Sequence, residues 1–210
     1  MNSAEFNKIE KFVLAQIYQI FSDIFDSAQI LNNNSRLIKS QLCLALIAAD
    51  SFSRFYIILT DENYDINNEK SNNETRFRDW LDKFVLNNTN EIYKKNKDKI
   101  NCDSKTIWDI RNSLIHSYCF PPKRNINFGF PPAEESKLKE FKKYYTEKTG
   151  KCVQVIDPHI LKRIIFQGFV EQRDVLVDMI KNSPQKYIKG TLKLNEIFKK
   201  EGTIYVEYKN

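Results

Sequence analysis

No glycine occurs before Gly129 and no proline before Pro121, so more than half of this chain lacks the two residues that most readily interrupt a helix. The first 120 residues are therefore predicted to be nearly all α. Phe6, Ile9, Phe12, Val13, Ile17, Ile20, Phe21, Ile24 and Phe25 recur at three- and four-residue intervals, the pattern of a long helix that buries one face. Arg36 to Leu59 repeats it with Leu37, Leu42, Leu44, Leu46, Ile47, Phe52, Phe55, Tyr56 and Leu59. Asn32-Asn33-Asn34-Ser35 supplies turn and cap chemistry between the two. Asp61 to Asn73 reads as a polar, mobile loop, after which Glu74 to Leu86 resumes with Phe77, Trp80, Leu81, Phe84 and Val85 on one side. A short basic helix is expected over Glu91 to Lys99, and Asp103 or Ser104 caps a last helix that stops before Pro121-Pro122. These spacings describe an antiparallel bundle of four to five helices over residues 1–120.

Beyond Pro122 the pattern changes. Ile126 to Phe130, Lys151 to Ile156 and Thr203 to Tyr208 carry short alternating or β-branched runs, whereas Glu134 to Glu147 and Pro158 to Asn182 read as helices. Residues 121–210 are thus expected to form a small, basic α+β extension packed on the bundle, making the whole mostly α. A chain of 210 residues with 41% hydrophobic content is long enough to bury a sizeable core but too short for two full enzyme domains.

Cys43, Cys102, Cys119 and Cys152 are scattered, with no C-x-x-C pair and no histidine at ligand spacing, so neither a zinc site nor a disulfide framework is indicated. A reducing cytoplasm is the expected setting. The polar stretch Met1 to Glu10 does not read as a secretory leader, and the apolar run Leu42 to Ala49 is too short to cross a bilayer. A glycine-rich phosphate loop is lacking, which argues against an ATPase or kinase, and no cofactor is expected.

The net charge of +6 is uneven, because residues 121–210 carry 18 basic and 11 acidic side chains while the rest is balanced. Such a surface gathers polyanions in a salt-sensitive way and suits RNA, but it is equally the composition of a solvated lysine-rich face. Lys94, Lys95 and Lys97, and Lys142 and Lys143 near Tyr144 and Tyr145, are the candidate contacts for a phosphate backbone. Arg76 and Arg78 beside Trp80 are more simply part of a helix with one core face and one wet face. His159 follows Pro158 at a helix start and reads as a surface residue.

The stretch Arg111-Asn112-Ser113-Leu114-Ile115-His116-Ser117-Tyr118 concentrates the chemistry, placing a fixed cation, an amide, an imidazole and a phenol on two turns of one helix. Ile107, Trp108, Arg111, Leu114, Ile115 and Tyr118 are expected on one face, with Asn112 and His116 on the adjoining one. An arginine amid Trp, Leu and Ile is costly to bury unless an acceptor meets it. Asp50, in the otherwise apolar Ala45 to Phe55 segment, is the best candidate acceptor, with Ser53 and Arg54 a turn along. The pair either serves a site or simply locks two helices in register.

Arg-Asn-x-x-x-His on the last helix of a bundle resembles the HEPN superfamily, whose active members are metal-independent ribonucleases of toxin–antitoxin, abortive-infection and other defence systems. Arg111 matches the family arginine, Asn112 the polar residue that commonly follows it, and His116 the family histidine. Tyr118 matches the R-x-x-x-x-H-x-Y form of toxins paired with a minimal nucleotidyltransferase that modifies the tyrosine. The resemblance covers residues 1–120; the remainder has no counterpart in the minimal fold. It implies a homodimer, a catalytic set of Arg111, Asn112 and His116, and an antitoxin partner acting on Tyr118.

The residue chemistry suits that activity. Attack of a ribose 2′-hydroxyl on its own phosphate needs a proton acceptor, a proton donor and a cation for the charge that builds on phosphorus. An imidazole can accept or donate the proton, and a guanidinium forks onto phosphate oxygens. One protomer supplies one imidazole at the motif, so a two-fold pairing of motif helices would bring base and acid together. The competing expectation is a non-catalytic HEPN-like dimerisation module that binds RNA or protein through its basic C-terminal third.

Overall fold

The computed structural model describes residues 3–32, 37–65, 73–100, 102–117, 126–127, 135–150, 154–182 and 185–200. Eight helices are formed among them: α1 (Ser3–Asn32), α2 (Ile38–Thr60), α3 (Asn73–Phe84), α4 (Glu91–Ile100), α5 (Ser104–Ser117), α6 (Glu135–Thr149), α7 (Pro158–Asn182) and α8 (Ile188–Lys200). The protein is mostly helical, a bundle built around α2.

The apolar periodicity selects the buried faces. Val13, Leu14, Ile17 and Phe21 of α1 meet Leu42, Ala45, Leu46, Ala49 and Phe52 of α2, and Phe52 stacks on Phe21 with ring centroids 4.1 Å apart. Phe169 of α7 sets its edge against Phe52 at 4.7 Å and lies 5.5 Å from Trp80 of α3, so three helices share one aromatic knot. Gln172 crosses this knot: its amide donates to the Phe52 carbonyl at 2.5 Å and its oxygen accepts the Trp80 indole N–H at 2.7 Å. Fully enclosed polar atoms need such partners, and here they also fix the rotation of α7 on α2 and α3.

Helix starts follow side-chain chemistry. Asn90 accepts the Tyr93 N–H at 3.0 Å, Asp103 the Thr106 N–H at 2.7 Å, and Asp157 the His159 N–H at 2.8 Å, each satisfying a donor that the first turn leaves orphaned. The expected capping of the motif helix by Asp103 is therefore realised. The Asn-rich turn between α1 and α2 falls mostly on residues 33–36, outside the described residues.

The expected small α+β extension over residues 121–210 does not form among the described residues. Its strand content is one parallel ladder of two residues a side, β1 (Ile126–Asn127) on β2 (Gln154–Val155), too short to make a layer. The strand expected over Thr203 to Tyr208 lies outside the described residues. Helices α7 and α8 instead enter the bundle: Leu161, Ile164, Ile165, Phe169, Leu176 and Ile180 of α7, with Leu194, Ile197 and Phe198 of α8, join the same core as α1, α2 and α3. The physical reason is that α2 is apolar around most of its circumference and needs neighbours on every side, which residues 1–120 cannot supply. Over residues 1–120 the helices number five, α1 to α5, as the spacing predicts, and α7 and α8 complete the bundle.

Helix α2 is, among the described residues, the one helix long and apolar enough to cross a membrane, longer than the Leu42 to Ala49 run suggests. Its apolar faces are covered by α1, α3, α5, α7 and α8.

Gly190 marks where two helices touch backbone to backbone. A Cβ on Gly190 would sit 2.6 Å from the Leu59 Cα and 2.7 Å from the Ile58 carbonyl oxygen, so α8 lies directly on the end of α2. Gly190→Ala is expected to lower stability by about 1–3 kcal/mol, because backbone cannot yield as a side chain would. Thermal melting checks this, with a fall in Tm of roughly 2–4 °C per kcal/mol.

Candidate functional site

The buried stripe of α5 is Ile107, Ile110 and Leu114, not the arginine-centred face expected from the sequence. Ile110 takes the central position because it carries no charge to desolvate. Arg111, Trp108 and Ile115 fall on the half-buried flank, and His116 is exposed.

Arg111 meets the acceptor that the pattern of α2 suggested. Its Nη2 donates to Asp50 Oδ2 at 2.9 Å, its Nη1 donates to Asn112 Oδ1 at 2.9 Å, and its guanidinium carbon lies 5.0 Å from the centre of the Trp108 ring. The side chain is 17% exposed. Its Nε is enclosed and without a hydrogen-bond partner among the described residues. Of five guanidinium donors, one on each terminal nitrogen remains for an incoming anion.

Asp50 holds a second arginine, for which the sequence pattern named no partner. Arg76 of α3 donates from Nη2 to Asp50 Oδ1 at 2.9 Å, from Nε to Ser53 Oγ at 3.2 Å and from Nη1 to Tyr64 Oη at 3.0 Å. Arg76 therefore faces inward, not toward a nucleic acid. The signal was present: Arg76 stands one turn before Trp80 on an apolar stripe, the same anomaly that singled out Arg111. Tyr64 was missed because Asp61 to Asn73 reads as a mobile loop; in the structure Tyr64 packs against the core and residues 66–72 lie outside the described residues. Ser53 is buried and donates to the Asp50 carbonyl at 2.7 Å, while Arg54 is half-buried one turn further along α2.

The assembly is an acidic centre between two guanidiniums, leaving one surplus positive charge. Cys43, also on α2, lies within reach of the field of Arg111: burial pushes its thiol up while that guanidinium opposes the shift. At the rim, Lys105 donates to Glu74 at 2.7 Å and clasps α5 to α3, holding the Glu74 carboxyl below its ordinary range and raising the Lys105 ammonium.

His116 makes no hydrogen bond or ion pair with the described residues. It lies five positions beyond Arg111, about 7.5 Å along the axis and about 140° around it. The two groups therefore leave one helix in different directions, the arginine inward and the imidazole outward. Asn112, expected to hold the imidazole or a phosphate oxygen, instead caps the Arg111 fork. Tyr118 lies outside the described residues.

The candidate backbone contacts are all exposed but not all unpaired. Lys94 lies 3.7 Å from Glu91 and Lys143 lies 3.9 Å from Glu147, whereas Lys95, Lys97 and Lys142 have no ion pair with the described residues. Lys94, Lys95 and Lys97 stand on α4, and Lys142 and Lys143 on α6. His159 is half-buried at the start of α7, its N–H held by Asp157. Cys43 and Cys102 are free thiols. No group of three or more His, Cys, Asp or Glu side chains that could hold a metal ion occurs among the described residues.

No protein-family model, curated protein or solved structure matches this chain. Its functional reading accordingly rests on the residues themselves and on the motif they form.

Proposed function

We propose that the protein is a HEPN-like, metal-independent endoribonuclease, acting as a toxin or phage-defence effector, with a composite site completed by a second copy of the chain. The observation that carries this reading is an exposed imidazole, unengaged by the described residues, five positions beyond an arginine that a carboxylate holds in place.

His116 takes the proton from a ribose 2′-hydroxyl or returns one to the departing 5′-oxygen. Attack of the 2′-oxygen on its own phosphorus forms one P–O bond as the P–O5′ bond breaks, leaving a 2′,3′-cyclic phosphate and a 5′-hydroxyl. Arg111 stabilises the charge that accumulates on the phosphoryl oxygens, through the two terminal N–H groups not bound to Asp50 and Asn112. The angle between Arg111 and His116 on one helix favours a two-fold arrangement in which one protomer's arginine and its partner's histidine flank one phosphate. The basic faces of α4 and α6 supply salt-sensitive attraction for RNA, and the site on Tyr118 is where an antitoxin such as a minimal nucleotidyltransferase acts.

The test is cleavage of total RNA by purified protein in excess EDTA, with sedimentation of the same sample. Fragmentation by a dimer is expected; an intact RNA pool, or a monomer at active concentrations, contradicts the proposal.

One observation favours the second reading, a non-catalytic dimerisation and binding module. The Arg111 guanidinium already has Asp50, Asn112 and the Trp108 face, as a helix-locking residue would. Arg111→Lys separates the two. In the enzyme it removes RNA cleavage because the fork onto phosphate goes, whereas in the module it leaves binding through the basic C-terminal third unchanged and costs only stability.

A further inference from the structure

Arg76 is 6% exposed, deeper than Arg111 at 17%, so no phosphate reaches it. Its three kinds of nitrogen each have a different target: the Ser53 hydroxyl and the Asp50 carboxylate on α2, and the Tyr64 hydroxyl just beyond it. A carboxylate held only by Arg111 would be free to rotate about its side-chain bonds. With Oδ1 taken by Arg76, Oδ2 is left directed at Arg111. The connection extends to the far side of the bundle, because Lys193 of α8 donates to the Tyr64 carbonyl at 3.0 Å and to the Glu62 carbonyl at 2.7 Å.

We infer that Arg76 is a positioning residue of the ribonuclease site: anchored by Ser53 and Tyr64, it orients Asp50, and Asp50 in turn fixes the Arg111 guanidinium where the scissile phosphate arrives. The inference rests on the ribonuclease reading for its catalytic consequence, but the placement of Arg111 is measurable without RNA. Lysine cannot replace Arg76, since an ammonium is a point charge and the three targets lie around a planar fork.

The experiment records the side-chain Nε–H resonances of the arginines by NMR, with the Arg111 signal identified by its loss in Arg111→Lys, and measures RNA cleavage in EDTA. In the wild type the enclosed Arg111 Nε–H is expected to exchange slowly and stand apart from solvent-exposed arginines. In Arg76→Lys it should move to the exposed position, with kcat lowered about 10- to 100-fold at little-changed KM, the signature of a displaced catalytic group. Tyr64→Phe removes one anchor without touching a buried charge, and should shift both readouts the same way by less. If Arg76→Lys does not fold, Tyr64→Phe decides. An Arg111 signal and a kcat both unchanged in the folded variants overturn the inference. If the wild type cleaves no RNA, the ribonuclease reading falls, and the NMR comparison still decides whether Arg76 fixes Arg111.

Discussion

Replacing His116 with alanine is expected to abolish metal-free RNA cleavage while leaving the fold intact. The imidazole is exposed, and no described residue depends on it for a hydrogen bond, so its removal falls in the class of surface substitutions worth within about 0.5 kcal/mol. Tm should stay within about 2 °C of wild type. Positioned acid–base groups typically contribute about 10²–10⁴-fold, and in a two-fold site the substitution removes both base and acid, so the loss should sit at or beyond the upper end. Circular dichroism melting and a fluorogenic RNA assay read the two quantities on one preparation. Equal cleavage by both proteins would remove His116 from the mechanism.

The largest stability effect is expected at Asp50. Asp50→Leu removes the carboxylate that lies 2.9 Å from Arg76, itself 6% exposed, while its Ser53 and Tyr64 hydrogen bonds stay. Removing one partner of a buried ion pair costs about 3–5 kcal/mol, and the lower end applies here because the Asp50 side chain is 26% exposed and Arg111 can turn toward water. The Tm should fall by roughly 6–12 °C, from the general slope of 2–4 °C per kcal/mol. The double variant Asp50→Leu with Arg76→Met, which removes both buried charges, should be more stable than Asp50→Leu alone. If the single substitution costs less than about 1 kcal/mol, the two guanidiniums do not depend on this carboxylate and the site geometry described above is wrong.

Much of this site is legible in the sequence, and for one reason: a charged residue in an apolar stripe must find a partner. That rule singled out Asp50 on α2 and Arg111 on α5, and they meet at 2.9 Å. It applies equally to Arg76, whose stripe-mates Trp80 and Phe84 carry the same message, but the helix reads simply as one core face and one wet face, and that reading gives its arginine no partner. Tyr64 had no comparable signal, because a lone tyrosine in an Asn- and Asp-rich segment has no periodicity to place it. Helix periodicity located α7 to the residue, Pro158–Asn182, yet said nothing of what it packs against. Periodicity defines a face, and the partner of that face is decided by which other surface remains uncovered. The close approaches at Gly168 and Gly190 are the sequence trace of that packing, since isolated glycines in otherwise regular helices mark places where backbone needs room.

The motif helix itself shows the limit of facing arguments. Ile110 occupies the centre of the buried stripe and turns Arg111 to its flank, so the arginine is both held from inside and reachable from outside. Asn112 then serves the arginine and leaves the imidazole to project alone.

The chemistry of the RNA ends tests the central claim most directly. A synthetic oligoribonucleotide cut in EDTA by wild-type protein should give 2′,3′-cyclic phosphate and 5′-hydroxyl termini by mass spectrometry, and a single 2′-deoxy substitution at the cut position should block that cut. Cleavage that persists across the 2′-deoxy linkage, or products ending in 3′-hydroxyl and 5′-phosphate, would contradict 2′-hydroxyl attack at the Arg111 and His116 site.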